Sequence, residues 1–308
     1  MRISNLMPKS AYHTAPRMGQ FLLGLCLLFS WLPNTAISEI RIQDDLGNTI
    51  HLAQPAQRII SLAPHATELL FAAGAGNKLV GVSEYSDYPP AARHIARIGG
   101  HNSFDLERIL ALQPDLIIGW HSGNTPRTLQ TIAALGFPIY HSEPRQLQDI
   151  PHTIEQLGKL AGTSHTAQMQ ADFFRLQLQK LASQYQHKAT IRVFYQIWHQ
   201  PLLTLGGQHL INEVIRLCGG ENIFVDLKLL SASVSQEDIL LRNPDIIITS
   251  GGGRHDEAWA AAWQRWPQLT AVETGQIHAI HPDLLQRPTL RLLHGASAIC
   301  QALDSVRH

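Results

Sequence analysis

The chain has 308 residues, of which 44% are hydrophobic and 16% are charged. This length suits two domains better than one, and the composition is that of a globular protein with substantial cores. Basic and acidic residues balance at 24 each, so the charge gives no indication of a nucleic acid or an anionic membrane surface as a partner.

The first 38 residues have the organisation of a signal peptide. Basic residues precede an apolar run at residues 21–32, and the small residues Ala36 and Ser38 follow it near the expected cleavage point. We therefore expect residues 1–38 to be removed during export to the periplasm. An uncleaved anchor is the alternative, although the apolar run is short for a permanent membrane span.

The predicted elements after the leader begin with a hairpin. Residues 39–52 alternate apolar and polar side chains around Gly47 and Asn48, which is typical of two strands joined by a tight turn. Short β-rich runs, each followed by a loop and an amphipathic helix, then recur along the chain. The predicted strands are 58–62, 78–82, 116–119, 137–140 and 191–195. Strands that alternate with helices predict parallel sheets in open α/β lobes.

A long helix separates two groups of these elements. Residues 164–188 contain neither Gly nor Pro and are rich in good helix formers. More than 20 helical residues extend roughly 30 Å, which is long enough to cross from one lobe to another. We therefore predict an N-terminal lobe at residues 39–152, a connector helix at 153–189 and a C-terminal lobe at 190–308.

A repeated segment relates the two predicted lobes. Residues 107–118 and 237–248 lie 130 positions apart and are identical at seven of twelve positions. Each segment predicts a short capped helix, a Pro-Asp turn and a buried strand. Glu107 and Glu237 open the two helices, where a carboxylate is favourable against the helix dipole. Alternatively, this pair presents two acidic docking points to one symmetric partner.

Candidate ligand contacts lie in the loops after the strands, where open α/β sheets bind their ligands. These loops carry aromatic rings, amides and hydroxyls, and few charges. Trp120 and Trp198 are candidates for ligand contact, and ordinary packing in a core or interface is the alternative. The mixture suits a large, partly apolar ligand with many amides better than a phosphate or a free ion.

Catalytic signatures are missing from the sequence. It contains no Gly-x-Ser-x-Gly elbow, no His-Glu-x-x-His, no Cys-x-x-Cys and no complete Gly-x-Gly-x-x-Gly. We therefore expect a binding protein with no catalytic residue, no catalytic cofactor and no metal site. The 17 histidines leave an exported metal-dependent hydrolase as an alternative, which requires at least three converging ligands.

Removal of the leader leaves two cysteines, Cys218 and Cys300. In an oxidising compartment an even pair is typical of one disulfide. Two buried free thiols are the alternative, and export favours the disulfide.

Several segments of the chain resemble one protein family. The segments are RIISLAPHATELLFAAGAG, LVGVSEYSDYPPAA, DLERILALQPDLIIGW, RLCGGENIF and VSQEDILLRNPDIII. They are similar to the periplasmic cobalamin (vitamin B12) binding proteins of ABC importers, over nearly the whole mature chain. The resemblance implies two Rossmann-like α/β lobes with parallel sheets, joined by one long helix. It also implies capture of cobalamin or a related corrinoid by a monomer, and delivery to a permease dimer in the inner membrane.

The resemblance further implies roles for single residues. Glu107 and Glu237 take the positions of carboxylates that dock on arginines of the permease, and Cys218 and Cys300 take those of a disulfide. The positions that match the lining of the corrinoid cleft are Tyr85, Trp120 and the loop from Asp283 to Arg287.

Two positions depart from the family pattern. Close relatives carry tryptophan where this chain has His101 and Ser231, and we predict that both residues, with Trp198, contact the ligand. Corrinoid faces stack on flat rings, so these replacements can weaken or redirect binding. We hypothesise that the His101 imidazole approaches the cobalt face or a corrin amide, and a passive pocket wall is the alternative. Within the same fold, haem or an iron–siderophore is the alternative ligand, with His65, His101 or a tyrosine on the iron.

Overall fold

The structure is a computed structural model that describes residues 39–100, 103–251 and 256–308. The predicted leader and His101 therefore lie outside the described residues. Within the described ranges, no helix combines the length and the apolar character that a membrane crossing requires.

The first half of the chain builds a four-stranded parallel sheet. Its strands and the neighbouring hairpins are β1 (Ile40–Gln43), β2 (Thr49–Leu52), β3 (Ile59–Ser61), β4 (Leu79–Val82), β5 (Gly99–Gly100), β6 (Ser103–Phe104), β7 (Leu116–Trp120) and β8 (Ile139–Ser142). Its helices are α1 (Pro64–Ala72), α2 (Leu106–Ala111), α3 (Pro126–Ala134) and α4 (Asp149–Ala161). The strand order is β4-β3-β7-β8, and every pair is parallel. The central strand β3 is buried along its whole length, as expected for a sheet that is covered on both faces.

The hairpin predicted at residues 39–52 is confirmed, because β1 pairs antiparallel with β2. The hairpin is tied to the first sheet by Asp45, whose carboxylate accepts hydrogen bonds from the Tyr140 hydroxyl at 2.5 Å and the Glu143 backbone N–H at 2.7 Å. The hairpin is therefore part of the N-terminal lobe and not a separate arm.

Between the two sheets the chain forms the long helix α5 (Ser164–Tyr185). Helix α4 ends at Gly162, whose φ of 69° is left-handed and favours glycine at this position. The 22 residues of α5 extend about 33 Å at the usual rise per residue. The predicted connector segment, residues 153–189, thus contains most of α4 and all of α5, and the boundaries of the lobes stay a prediction.

The second half of the chain builds a six-stranded mixed sheet. Its strands are β9 (Ile191–Trp198), β10 (Leu203–Leu205), β11 (Gly220–Asn222), β12 (Ser231–Ser233), β13 (Ile246–Thr249) and β14 (Ile277–Ala279). Its helices are α6 (Ile211–Leu217), α7 (Gln236–Arg242), α8 (Asp256–Trp263), α9 (Thr270–Glu273) and α10 (Leu292–Ser305). Strands β11, β9, β13 and β14 pair in parallel, which agrees with the predicted fold class. Strand β10 pairs antiparallel with β9, since the four residues between them are too few for a parallel crossover, and β12 pairs antiparallel with β10.

The sequence repeat is also a repeat in three dimensions. In each lobe it forms a short helix and a buried strand, α2–β7 and α7–β13. Asp105 and Ser235 cap the two helices by accepting a backbone N–H from the first turn. Gln113 and Asn243, 130 positions apart, both have positive φ, at 46° and 39°. The two lobes therefore contain the same local structure down to an unusual backbone conformation.

One apolar cluster connects the lobes. It contains Ile59 and Ile118 of the first sheet, Tyr195 and Ile248 of the second, and Phe174 of α5. Each sheet packs its other face on a smaller cluster of its own. The long helix is therefore a shared core element and not an exposed linker.

The predicted disulfide is confirmed. Cys218, at the end of α6, is bonded to Cys300 in α10. Both residues are fully buried. The bond fixes the last helix to the end of α6, two residues before strand β11.

Candidate functional site

Several cavities lie between the lobes, and two of them contact Trp120, beyond the carboxyl ends of strands in the first sheet. One has a volume of 180 Å³ and the other 130 Å³, and Trp120 and Gln286 line both. The residues that line the 180 Å³ cavity are Pro64, His65, Trp120, Pro282, Asp283, Gln286 and Arg287. The residues that line the 130 Å³ cavity are Trp120, Ser122, Glu143, Pro144, Arg145, Gln208, His209, Leu210, Leu230, Leu285, Gln286 and Pro288. We call the surface formed by these two sets the cleft.

A larger cavity lies outside the cleft. It has a volume of 700 Å³, is lined by residues of α1, α5 and α10, and shares no lining residue with the cleft. It is therefore a separate feature on the α5 side of the molecule.

Trp120, at the end of β7, is held in place by its own loop. Its backbone N–H donates to the Asn124 side chain at 2.7 Å, and the Asn124 amide donates to the Leu62 carbonyl at 3.1 Å. A Cβ on Gly123 would lie 1.9 Å from Cε3 of the indole. Glycine at this position is thus required for the observed position of the Trp120 ring.

His65 lies beneath Trp120 and is almost fully buried. The two rings meet edge to face with centroids 5.2 Å apart, and His65 Nε2 lies 3.3 Å from the Ser142 hydroxyl. Burial, with a smaller contribution from the charge of Arg287, lowers the pKa of His65 to about 3. The imidazole is therefore neutral at ordinary pH, because burial disfavours its charged form.

Arg287 and Asp283 are joined to α1 by an ion-pair network between the lobes. Arg287 contacts Asp283 at 3.0 Å, Glu68 at 3.0 Å and Asp87 at 3.2 Å. Arg291 contacts the same Glu68 at 3.3 Å. Because Glu68 and Asp87 belong to the N-terminal lobe and the arginines to the C-terminal lobe, these contacts connect the two lobes directly.

The structure brings only some of the predicted ligand residues together. Trp120, Asp283 and Arg287 line one cavity. Tyr85, which is 75% exposed, and Trp198, which is 51% exposed, do not line the two cavities of the cleft. Ser231 begins the edge strand β12 and is likewise exposed and outside both cavities. With His101 outside the described residues, the roles of these residues in ligand binding stay predictions.

Two residues of the cleft region are not singled out by sequence reasoning, although Gln286 lies within the predicted loop from Asp283 to Arg287. Gln286 lines both cavities and donates to the Ser250 hydroxyl at 3.0 Å. Glu68 accepts the interlobe contacts although it lies on a largely apolar helix, between Thr67 and Leu69 of α1. A glutamate inside an apolar helical run is itself a signal, because burying a carboxylate is costly unless a partner is present.

Glu107 and Glu237 lie in the first turns of α2 and α7, and both are exposed. Neither carboxylate has an ion-pair or hydrogen-bond partner in the described part of the chain. Exposure and lack of a partner fit a docking role, and the helix positions fit the dipole effect as well.

Histidines and acidic residues do not converge on a metal site in the described ranges. There, no group of three or more His, Cys, Asp or Glu side chains could hold a metal ion. This arrangement gives the hydrolase alternative no support.

Comparison with known proteins identifies the family. The profile of periplasmic binding proteins matches residues 59–284. The vitamin B12-binding protein of Vibrio cholerae is 45% identical over 250 residues, which cover 81% of this chain and 90% of that protein. The crystal structure of the periplasmic vitamin B12 binding protein of Vibrio cholerae superposes with a TM-score of 0.76 and 44% sequence identity. The match covers 82% of this chain and 98% of the chain in that crystal structure.

A more distant match shows the fold alone. The periplasmic haem-binding protein of Roseiflexus is 23% identical, with a TM-score of 0.71, over 82% of this chain and 100% of that one. The fold is therefore shared by proteins with different ligands, and the chain itself belongs to the periplasmic binding protein family.

Proposed function

We propose that this protein captures cobalamin or a related corrinoid in its cleft and delivers it to an ABC-type importer. The observation that carries the proposal is the composition of one cavity, which joins Trp120 of the N-terminal lobe to Gln286 and Arg287 of the C-terminal lobe. An indole offers a flat apolar face to a corrin ring, and amide and guanidinium groups offer partners to its peripheral amides. The names of the relatives that are about 40% identical or more support the same ligand.

The corrinoid is larger than either cavity, so it lies across their mouths over Trp120. The exposed rings of Tyr85 and Trp198 then cover the ligand from the two lobes, and Asp283 and Arg287 contact its polar edge. His101 and Ser231 occupy positions of stacking residues in relatives and decide how firmly the ring is held. Nothing in this role requires bond chemistry, so the protein is a carrier and not an enzyme.

Delivery requires a partner in the membrane. Glu107 and Glu237 are the matched carboxylates of twin lobes, and a permease dimer presents matched arginines to them. The protein acts in the periplasm as a monomer after removal of residues 1–38. Export to that compartment also accounts for the disulfide.

The test of the ligand compares three compounds on the mature protein. Cyanocobalamin, cobinamide and haem are titrated side by side by calorimetry and by visible absorption. We expect one molecule of corrinoid to bind per chain with micromolar or better affinity. Binding of haem alone at that affinity, with a Soret shift, would establish the haem alternative and end the proposal.

A further inference from the structure

Glu68 is a buried carboxylate whose partners all come from the opposite lobe. Its side chain is 3% exposed. Its Oε1 accepts hydrogen bonds from Arg287 Nη1 at 3.0 Å and Arg291 Nη1 at 3.3 Å, and its Oε2 accepts one from the Thr289 hydroxyl at 2.9 Å. Both oxygens of this N-terminal residue are therefore occupied by a five-residue stretch of the C-terminal lobe.

Interlobe packing alone does not account for this carboxylate. Burial raises the pKa of Glu68, while the Thr289 and Arg287 hydrogen bonds act against that shift. A buried ion pair is usually no more stabilising than well-packed apolar residues of similar size. The neighbours Leu69 and Leu70 show that α1 supplies apolar side chains elsewhere along the same helix. The charge therefore has a purpose other than holding the lobes together.

The network fixes the guanidinium of Arg287. Nη1 is shared between Glu68 and Asp87, and Nη2 lies 3.0 Å from Asp283. Nε makes no hydrogen bond to any of the described residues. Arg287 lines the cleft cavity together with Trp120. The Arg287 guanidinium is thus held through its two Nη atoms, and its Nε–H remains available as a donor to a ligand.

Glu68 itself faces away from the cleft. It lines the 700 Å³ cavity on the α5 side and neither of the cleft cavities. A ligand over Trp120 therefore meets Arg287 and not the carboxylate behind it.

We infer that Glu68 is a positioning residue for the ligand, because it holds Arg287 of the opposite lobe in its binding orientation. The inference rests on the proposed function. It assigns ligand affinity to a carboxylate that does not contact the ligand.

A double-mutant cycle tests the coupling. The affinity for cyanocobalamin is measured for the wild type, Glu68→Gln, Arg287→Ala and the double variant. We expect each single variant to bind about tenfold more weakly, which is typical of side chains in one ion-pair network. We expect the double variant to bind no more weakly than Arg287→Ala, because Glu68 acts only through Arg287. Additive losses, or an affinity of Glu68→Gln equal to that of the wild type, would overturn the inference.

One variant controls for loss of structure. Arg291→Gln removes the other arginine from Glu68 but leaves Arg287 held. It is expected to keep the affinity within about threefold of the wild type, since a secondary ion pair contributes little. An Arg291→Gln variant as weak as Glu68→Gln would assign Glu68 to the lobe interface in general and overturn the inference.

Folding is checked by urea unfolding and circular dichroism of each variant. If Glu68→Gln does not fold, Glu68→Asp is measured in its place. Aspartate keeps the negative charge, but its shorter side chain moves the carboxylate away from Arg287. A weaker affinity of that variant supports the inference, and wild-type affinity contradicts it. A wild-type protein that binds no corrinoid would refute the proposed function together with this inference, whereas wild-type binding with an additive cycle refutes the role of Glu68 alone.

Discussion

Replacement of His65 by glutamine is predicted to remove part of the acid sensitivity of the protein. The pKa of His65 is lowered to about 3 in the folded protein by burial and by the charge of Arg287, against an ordinary value of 6.5. Above pH 6.5 the ring is neutral in both states. As the pH falls below 6.5 the unfolded chain takes up a proton that the folded chain does not, so the free energy of unfolding decreases.

The magnitude follows from the width of this window. Each pH unit between the two pKa values costs about 1.4 kcal/mol, so the wild type loses about 2 kcal/mol between pH 6.5 and 5.0 through His65 alone. Glutamine does not titrate and offers the Ser142 hydroxyl both a donor and an acceptor. Between pH 6.5 and 5.0 the free energy of unfolding of the wild type therefore falls by about 2 kcal/mol more than that of His65→Gln.

The assay is urea unfolding followed by tryptophan fluorescence at several pH values from 7.5 to 5.0. Other shifted groups, such as His209, whose pKa burial lowers to about 4, and Glu68, whose pKa burial raises, are present in both proteins and cancel in the difference. His94→Gln serves as the control, because that ring is exposed in the folded protein. Parallel stability curves for wild type and His65→Gln over this range would refute the reasoning.

Two further predictions concern ligand contact and docking. Gly123→Ala places a Cβ 1.9 Å from the Trp120 ring, so the indole must move. We expect the displaced indole to weaken cyanocobalamin binding about tenfold. An unchanged affinity in calorimetry would contradict this prediction. Charge reversal of Glu107 and Glu237 to lysine is expected to abolish cobalamin-dependent uptake by cells while calorimetry shows ligand binding intact. Glu273→Lys, at an exposed carboxylate at the end of α9, controls for charge reversal in general and is expected to leave uptake unchanged. Loss of ligand binding in the Glu107 and Glu237 variants would instead assign these two residues to the fold.

The sequence predicts the elements that frame the cleft because their signals are local. The turn at Gly47 and Asn48 predicts the hairpin, and the absence of Gly and Pro after Gly162 predicts the long helix. The repeat predicts twin helix–strand units, and Trp120 is predicted at the end of a strand where ligands gather. Each of these signals depends on a few neighbouring residues, and the structure shows the corresponding element in each case.

The interlobe contacts have no comparable signal. Glu68 and Arg287 are 219 positions apart, and the local sequence around either residue does not indicate that the two form an ion pair. A glutamate among apolar residues indicates that some buried partner exists, because an unpaired charge is too costly to bury. Which cationic side chain pairs with the glutamate depends on how the two lobes pack around α5. That packing is determined by the whole chain and not by a local segment.

The antiparallel strands show a different limit. Strands β10 and β12 are three residues each, too short for their alternation to stand out from a loop. The direction of β10 is set by the short turn after β9, so the pattern of strands and helices predicts only the parallel part of the second sheet.

The apolar cluster that runs from the first sheet through α5 to the second restricts how this molecule can be recombined with its relatives. A chimera that exchanges one lobe inherits the sheet and outer cluster of the donor intact, but it divides the inner cluster between two parents. Side chains such as Phe174 and Tyr195 would then pack against side chains from a different protein. Mismatched side-chain volumes in a packed core lower the stability of the fold. Exchange of surface loops avoids this junction, so new ligand preferences are reached more easily by changing the loops of the cleft than by exchanging lobes.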